Sequence, residues 1–375
     1  MKITAAILQR SGAPRPYAQS RPLEICEVDL EGPGAGEVLV KLHAAGLCHS
    51  DLSVIDGTRP RPLPMALGHE AAGEIIEVGQ GVTRFRTGDH VVLIFMPACG
   101  HCRPCATGRP ALCEPGAEAN GAGTLLGGAR RLTRAGAPLN HHLGVSAFAT
   151  HAVVSENSCV AIDKALPYAT AALFGCAVLT GIGAVVNTAA AVPGTSMAVI
   201  GLGGVGLSAL LGAKLSGARQ IIALDTDETK LARAMALGAT HVIRAGTPAT
   251  LDELRDISGG GVDYAFEMAG SVPALELAYG ATARGGTTVT AGLPPPDRQL
   301  SLQALSLVAA ERTLKGSYMG SSVPARDVPR YIALHQQGLI DVDPLLTHRL
   351  PLSQVNEGFD RLADGDCVRQ VIELG

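Results

Sequence analysis

Two short stretches hold the residues best suited to chemistry. One reads Cys48-His49-Ser50-Asp51 and the other reads Leu67-Gly68-His69-Glu70. A thiolate and an imidazole are both zinc ligands, and a catalytic zinc keeps one coordination position open. Ser50 follows Cys48 by two residues, so its hydroxyl can reach a group in that position. A lone Cys with a lone His is more often a pair of buried structural residues, so the zinc interpretation needs a third ligand elsewhere.

A run of cysteines further along the chain has the spacing of a closed metal site. Cys99, Cys102 and Cys105 are evenly spaced, and Cys113 follows. Such spacing lets short turns wrap thiolates around one tetrahedral ion, and a fourth cysteine completes the shell. His101 lies inside the run but is not needed as a ligand. We therefore predict a structural zinc held by four thiolates.

A glycine-rich loop has the context of a dinucleotide site. The apolar strand Met197–Ile200 precedes it and an apolar helix follows, while the next strand, Ile221–Leu224, leads into Asp225. The residues assigned to the loop are Gly201, Gly203, Gly204, Val205 and Gly206. Glycines allow a tight turn and close approach of a pyrophosphate to the helix N-terminus. Asp225 is expected to accept the ribose hydroxyls and to repel a 2′-phosphate, which predicts NAD as cofactor.

Composition narrows the class of protein. The chain has 375 residues, of which 47% are hydrophobic and only 3% aromatic, with a formal net charge of −4. This length predicts two domains or one large one, and the charge gives no basic surface for nucleic acid. Nine cysteines without a secretory signal predict a reducing, cytoplasmic location and a metal or catalytic role for the thiols. The apolar stretch 165–186 contains Pro167 and three glycines, so we predict a buried helix rather than a membrane span.

The segments that position these residues show two kinds of sequence pattern. Residues 1–47 and 71–93 alternate apolar and polar positions between Gly and Pro, which predicts a β-rich, barrel-like domain. Between them and the tail, six predicted strands alternate with helices, which is typical of a doubly wound sheet. We predict a catalytic domain over 1–177 and 321–375, interrupted by a nucleotide-binding domain over 178–320.

Two features of the first domain are less regular. The stretch 114–140 is rich in Gly and Ala and shows little periodicity, which predicts an extended surface lobe. His141 and His142 follow it directly. Adjacent side chains point in different directions, so we do not assign them to a metal.

Taken together, the chain resembles the zinc-dependent alcohol dehydrogenases of the medium-chain dehydrogenase/reductase superfamily. The resemblance is carried by 48–51, 68–70, the cysteine run, Leu173-Phe174-Gly175-Cys176 and 201–206. It implies an α/β protein with a GroES-like catalytic domain and an inserted Rossmann domain, two zinc ions and NAD. The lobe before His141 is similar to that of dimeric animal and plant members, which implies a homodimer.

The resemblance also implies roles for individual residues. The catalytic zinc is expected to bind Cys48, His69 and Cys176, with Glu70 behind it as an occasional ligand and Asp51 orienting His69. Expected cofactor contacts are His49 and Arg369 to the phosphates and Lys230 near the adenosine ribose. The residues expected to line the substrate pocket are Phe95, His142, Leu143, Leu293 and Met319.

The activity implied is interconversion of alcohols and aldehydes or ketones. In this family zinc lowers the pKa of the alcohol so that an alkoxide forms, Ser50 takes the proton, and hydride moves to the nicotinamide. The pocket residues are mainly apolar with one polar group, which favours primary medium-chain or aromatic alcohols.

Two positions depart from the family pattern. Ser53 stands where several animal enzymes carry a histidine that ends the proton relay. Residues 114–117 lack the Arg usual in glutathione-dependent formaldehyde dehydrogenases, which disfavours the alternative of a dehydrogenase that oxidises hydroxymethyl thiols. A second alternative is a non-catalytic scaffold that binds zinc and nucleotide, although such proteins commonly lose a catalytic ligand and none is lost here.

Overall fold

The computed structural model describes all residues from Met1 to Gly375. Contacts divide the chain into two units. The first unit comprises Met1–Cys176, Val323–Ala333 and Val342–Gly375, and the second comprises Ala177–Ser322 and Leu334–Asp341. These bounds differ from the predicted ones chiefly because the segment 334–341 belongs to the second unit. Each unit has its own hydrophobic core.

The first unit begins with ten strands and five short helices. The strands are β1 (Lys2–Leu8), β2 (Leu23–Leu30), β3 (Glu37–Leu47), β4 (Met65–Ala66), β5 (Glu70–Val78), β6 (His90–Leu93), β7 (Leu132–Arg134), β8 (Ala137–His141), β9 (His151–Ser155) and β10 (Cys159–Ala161). The helices are α1 (Tyr17–Ser20), α2 (His49–Ile55), α3 (Arg103–Ala106), α4 (Glu114–Ala122) and α5 (Tyr168–Leu173). Strands β1, β2, β7, β8 and β4 close into a barrel.

The second unit is built on six parallel strands. They are β11 (Ser196–Ile200), β12 (Gln220–Asp225), β13 (His241–Arg244), β14 (Val262–Glu267), β15 (Thr282–Thr290) and β16 (Thr313–Gly316). Its helices are α6 (Ala177–Gly183), α7 (Gly204–Leu215), α8 (Glu228–Leu237), α9 (Thr250–Ser258), α10 (Val272–Ala281) and α11 (Ala304–Ala309). The strand order is β13-β12-β11-β14-β15-β16, the doubly wound arrangement that was predicted. Strands such as β11 are buried on both faces, which explains their continuous apolar sequence.

The tail completes the first unit. It contains most of α12 (Pro324–Gln336), whose last three residues belong to the second unit, and all of β17 (Leu346–Pro351), α13 (Val355–Asp364) and β18 (Arg369–Glu373). Strand β18 pairs with β3, so the second sheet of this unit runs β10-β6-β5-β3-β18-β17, with β9 also paired to β3. Short 3₁₀ helices lie at Pro110–Leu112, Glu156–Ser158, Met319–Ser321, Asp343–Leu345 and Leu352–Gln354.

Two stretches differ from their predicted form. Residues 114–140 are not an extended lobe, because they contain α4 and the hairpin of β7 and β8 that closes the barrel. The apolar stretch 165–186 is not one helix: α5 and α6 are followed by the π-helix Ala184–Ala189. None of the helices has both the length and the apolar character needed to span a bilayer.

Candidate active site

Four residues from three distant parts of the sequence converge in the first unit. The ligand atoms of Cys48, His69, Glu70 and Cys176 all lie within 4.8 Å of one another, and all four residues are buried. Cys48 lies between β3 and α2, His69 directly precedes β5, and Cys176 follows α5. Two thiols and one imidazole are a zinc donor set that leaves a position open. The residues present therefore fit the predicted catalytic zinc.

The imidazole of His69 is oriented by a buried carboxylate. Its Nδ1 lies 3.0 Å from Asp51 Oδ1, so Nε2 is left for a metal. Asp51 also accepts the backbone N–H groups of Cys48 and Gly68, each at 3.2 Å. Burial alone would raise the pKa of Asp51, but the neighbouring imidazoles of His69 and His142 lower it below its usual value. Asp51 is thus a fixed anion behind the ligand.

Behind the cluster, Glu70 binds Arg369. One guanidinium nitrogen of Arg369 donates to Glu70 Oε2, and Arg369 is only 4% exposed. The other oxygen, Oε1, makes no hydrogen bond, so it remains for a cation. Burial raises the pKa of Glu70 to about 7 although Arg369 opposes this shift. Gly46 makes the pair possible, since a Cβ there would lie 2.7 Å from Glu70 Oε2.

Three of the five predicted pocket residues lie in the first unit. The rings of Phe95 and His142 contact His69 edge-on, with centroids 5.5 and 5.4 Å away. His142 Nδ1 also lies 3.1 Å from Asp51 Oδ1, and Leu143 follows in a left-handed turn with φ of 51°. These residues therefore border the metal-ligand cluster. Leu293 and Met319 belong to the second unit, and Leu293 is half exposed.

The predicted proton-transfer residue, Ser50, is the second residue of helix α2. Ser50 is partly exposed. His49 precedes it and is exposed. Ser53 lies one turn later and donates its hydroxyl to the carbonyl of His49 at 2.8 Å. Ser53 is therefore bonded to its own helix and adds no titrating group to this face.

His141, the neighbour of His142 in sequence, has a structural role. His141 Nε2 accepts the backbone N–H of Arg131 at 3.0 Å, and Nδ1 lies 3.4 Å from Ser146 Oγ. Burial lowers the pKa of His141 to about 4, so the ring is neutral and serves as an acceptor. His142 alone of the pair reaches the metal-ligand cluster.

The four cysteines of the second cluster also meet. The sulfur atoms of Cys99, Cys102, Cys105 and Cys113 lie within 4.8 Å of one another. Backbone N–H groups point at them: Cys99 N lies 3.1 Å and Gly116 N 3.4 Å from Cys113 Sγ. Four thiols close enough to bind one tetrahedral ion, with backbone N–H groups donating to a sulfur, fit a closed zinc site.

The glycine loop of the second unit has the geometry of a phosphate-binding turn. Gly201 directly follows β11 and has a φ of 90°, and Gly203 is the N-cap of α7. A Cβ on Gly206 would overlap the carbonyl oxygen of Gly201, so only glycine fits there. Asp225 Oδ2 accepts Leu202 N–H at 2.7 Å, which fixes the carboxylate beside the loop.

A cavity of about 480 Å³ opens beside this loop. Its wall includes Gly201, Asp225, Thr226, Thr247 and Ser271. Lys230 lies on the first turns of α8, just beyond Asp225. The wall residues Thr226, Thr247 and Ser271 were not singled out from the sequence, because Thr and Ser in loops carry no distinctive spacing.

Comparison with known proteins agrees with this geometry. The profile of the family described as "Alcohol dehydrogenase GroES-like domain" matches residues 34–164, and that of "Zinc-binding dehydrogenase" matches residues 204–337. The chain is 41% identical to a protein of Mycobacterium tuberculosis (strain CDC 1551 / Oshkosh) named "Putative alcohol dehydrogenase D", over 99% of this chain and 100% of that protein. The chain belongs to the zinc-dependent alcohol dehydrogenases of the medium-chain dehydrogenase/reductase superfamily.

Solved structures of other alcohol dehydrogenases have the same fold. An "Alcohol dehydrogenase zinc-binding domain protein" from Burkholderia ambifaria has a TM-score of 0.94 and 37% identity, covering 100% of this chain and 99% of that chain. Benzyl alcohol dehydrogenase from Acinetobacter calcoaceticus has a TM-score of 0.93 and 34% identity, covering 100% of both chains. The predicted combination of a GroES-like domain with an inserted Rossmann domain is confirmed.

Arg369, which was predicted to contact the cofactor, also binds another residue of the chain. Arg369 was assigned to a cofactor phosphate, but its guanidinium is buried against Glu70 in the structure. The contact joins residues 299 positions apart, which no sequence spacing indicates. Whether Arg369 also reaches a phosphate stays a prediction, as do the roles of His49 and Lys230.

Proposed function

We propose that the protein oxidises primary alcohols, aromatic ones best, to aldehydes with NAD, and catalyses the reverse reduction. The observation that carries this proposal is the buried convergence of Cys48, His69 and Cys176, with Asp51 behind the imidazole. The same three donors provide a catalytic zinc site with an open position. Cys99, Cys102, Cys105 and Cys113 would hold the second, structural zinc.

The chain's own residues orient the reacting groups. When bound, zinc polarises an alcohol or carbonyl oxygen and lowers the pKa of a hydroxyl. Asp51 holds His69 so that Nε2 faces the metal position, and Arg369 balances the charge of Glu70. Ser50, two residues after Cys48, accepts the substrate's hydroxyl proton and passes it on toward solvent. NAD, when bound, accepts the hydride.

The substrate class follows from the groups around the metal-ligand cluster. Phe95 presents its ring edge to His69, and Leu143 is buried nearby, so the first unit offers an apolar, aromatic wall. His142 adds one polar group. Benzyl alcohol dehydrogenase of Acinetobacter calcoaceticus shares 34% identity with this chain. Both observations support an aromatic primary alcohol as the preferred substrate.

A substrate panel tests this proposal. NADH absorbance should rise fastest with benzyl alcohol and its ring-substituted analogues, more slowly with medium-chain primary alcohols, and without any added thiol. Turnover that required a thiol and formaldehyde would instead show a thiol-adduct dehydrogenase. No turnover with any alcohol by protein that carries both zinc ions would support a non-catalytic scaffold.

Cofactor choice gives a prediction of its own. Asp225 accepts N–H groups from Leu202 and Asp227, so its negative charge is fixed at the wall of the cavity. This charge should accept ribose hydroxyls and repel a 2′-phosphate. We expect Asp225→Gly to reduce the preference for NAD over NADP by at least about tenfold, the effect of a single interaction of moderate strength. Kinetics with both cofactors measure it, and equal use of NADP by the unmodified protein would contradict the assignment.

The proton path gives a second prediction. Ser53 has no titration near neutral pH, and its hydroxyl is bound to the helix at His49 O. An imidazole at this position would add a proton acceptor with a pKa near neutrality. We expect Ser53→His to raise alcohol oxidation below pH 7 by about threefold to tenfold, and Ser50→Ala to lower it by about a hundredfold.

Rate profiles against pH for wild type and both variants measure this effect. Aldehyde reduction serves as the internal control, since it should change less with Ser53→His. An unchanged acid limb in Ser53→His beside a severe loss in Ser50→Ala would mean that the proton leaves by another route.

We further propose that the protein is a cytoplasmic homodimer. Strand β16 is the edge of its sheet, with one side unpaired. On the adjoining helix α11, Leu305 and Val308 are 70% and 76% exposed. An open strand edge beside apolar side chains favours pairing with a second copy. Light scattering of the purified protein measures the mass directly.

A further inference from the structure

We infer that Glu267 is a positioning residue for the nicotinamide half of the cofactor site. This inference rests on the proposed use of NAD. Glu267 ends strand β14 and is 1% exposed. Nothing in the sequence analysis singled it out, since one acidic residue at a strand end has no characteristic spacing.

The position of Glu267 in the sheet is the first argument. Strands β11 and β14 are neighbours, with β12 and β13 on one side and β15 and β16 on the other. A dinucleotide binds across the carboxyl ends of such a sheet, at the point where the strand order reverses. Asp225 marks the adenosine side, at the end of β12. The nicotinamide half therefore belongs over the ends of β14 and β15, where Glu267 lies.

The contacts of Glu267 are the second argument. Oε1 accepts the backbone N–H of Gly270 at 2.6 Å, and Oε2 accepts the hydroxyl of Thr290 at 2.6 Å. Its backbone carbonyl accepts Ala291 N–H at 3.0 Å. Neither of these side-chain hydrogen bonds comes from a Lys or an Arg. Each side-chain oxygen is thus used to hold a different loop at the carboxyl edge of the sheet.

These loops contact the cofactor-binding residues. A Cβ on Gly201, in the phosphate-binding turn, would lie 2.7 Å from Ala269 N. A Cβ on Gly292 would overlap Gly270 and lie 2.6 Å from Glu267 Oε2. The turn 268–271 is therefore packed between the glycine loop and the segment after β15, with the carboxylate directly against it.

The same turn lines two cavities. Ala269 and Ser271 form part of the 480 Å³ cavity beside Asp225. Gly270 and Ser271, with Pro294, form part of a second cavity of about 570 Å³ beyond it. A shift of this turn would alter both cavities together.

Burying the carboxylate of Glu267 costs hydration free energy. A carboxylate taken out of water without a cation loses hydration that two hydrogen bonds replace only in part. An apolar residue would avoid this loss of hydration, but it would leave the N–H of Gly270 and the hydroxyl of Thr290 without an acceptor. The carboxylate is suited to fixing the two loops against each other.

Four variants of the full-length, zinc-loaded protein test the inference. Glu267→Ala removes both acceptors. Glu267→Gln keeps an oxygen for Gly270 N–H and an NH₂ group for the Thr290 hydroxyl, but loses the charge. Thr290→Val removes one bond. The matched control is Thr288→Val on the same strand, which loses the buried bond between Thr288 and Thr282 (2.7 Å) away from the strand end.

The readouts are the Kd of NADH, from its own fluorescence, kcat and KM for NAD, and the melting temperature. We expect Glu267→Ala to raise Kd and KM by about tenfold or more, with kcat at saturating NAD changed by less than about threefold. Glu267→Gln should stay within about threefold of wild type, and Thr290→Val should raise Kd by about threefold. Thr288→Val should leave Kd unchanged even where the melting temperature falls.

Three results would overturn the inference. One is a Glu267→Ala protein that melts earlier but keeps wild-type Kd and KM. Another is a Glu267→Gln protein as weak in cofactor binding as Glu267→Ala, which would assign the effect to charge. If Glu267→Ala does not fold, equal Kd values for Thr290→Val and Thr288→Val would also overturn it. Failure of the wild type to bind NADH would refute the proposed function instead, so the two outcomes are distinct.

Discussion

Replacing Cys176 by Ser is expected to abolish alcohol oxidation while the protein stays folded. Cys176 brings its thiol to Cys48 and His69 in a buried cluster. A hydroxyl is a poor substitute for a thiolate, so the catalytic zinc should be lost or held in the wrong geometry. Even residues that only support metal ligands cost about 10–100-fold when removed, so we expect a loss of at least about a thousandfold. NADH formation and zinc content of the purified variant measure the effect.

The matched control for this variant is Cys26→Ser. Cys26 is a half-buried thiol on β2, outside both cysteine clusters. It should keep full activity and both zinc ions. The melting temperature of Cys176→Ser should stay near that of the control, because β3 and β5 are held by the hydrophobic core of the first unit. Wild-type turnover in Cys176→Ser would show that this thiol is not a catalytic ligand.

Replacing Cys102 by Ser is expected to lower the stability of the fold rather than the rate of the reaction. The segment 99–113 contains only the four-residue helix α3 and one turn of 3₁₀ helix, and buries few apolar groups. A closed zinc site therefore has to supply much of its order, and the binding free energy of a structural zinc becomes folding free energy. We expect a loss of about 3 kcal/mol or more, because structural zinc contributes about 10–16 kcal/mol in small zinc domains.

Thermal melts of Cys102→Ser, Cys176→Ser and Cys26→Ser measure the ranking. Cys102→Ser should melt several degrees below the other two and show residual turnover at low temperature. If Cys176→Ser were the unstable variant and Cys102→Ser the inactive one, the two zinc sites would have to exchange roles.

The second unit was the part of the fold that could best be predicted from the sequence. Its strands bury both faces, so each reads as a short apolar run: Ile221–Leu224 was predicted and β12 spans Gln220–Asp225. The glycine loop adds strong local constraints, since Gly201 needs a positive φ and Gly206 must lack a Cβ. Local sequence thus determines both the sheet and its phosphate-binding turn.

The barrel of the first unit was harder to predict from the sequence. Strands β7 and β8 are only three and five residues long and are bordered by Gly, so they show no usable alternation. Besides their own hairpin, they pair with strands that are distant in sequence, β7 with β2 and β8 with β4. Tertiary contacts, rather than local propensity, make strands of a stretch that sequence predicted to be an irregular lobe.

The site itself was predicted unevenly for the same reason. Ligand types and spacing indicated Cys48, His69 and the cysteine run. The placement of His142 against Asp51 depends on the left-handed turn at Leu143, which its neighbours in sequence do not reveal. The buried pair of Glu70 and Arg369 depends on β18 returning to β3 from the other end of the chain.

The most direct test of the account is the rate of NADH formation from benzyl alcohol before and after removal of the exchangeable zinc. The freshly purified, zinc-loaded protein should oxidise the alcohol with NAD. A chelator that removes one zinc per chain should abolish the rate without unfolding the protein, and added zinc should restore it. An undiminished rate after that zinc has gone, or no rate by the protein with both zinc ions present, would contradict a zinc-dependent alcohol dehydrogenase built on Cys48, His69 and Cys176.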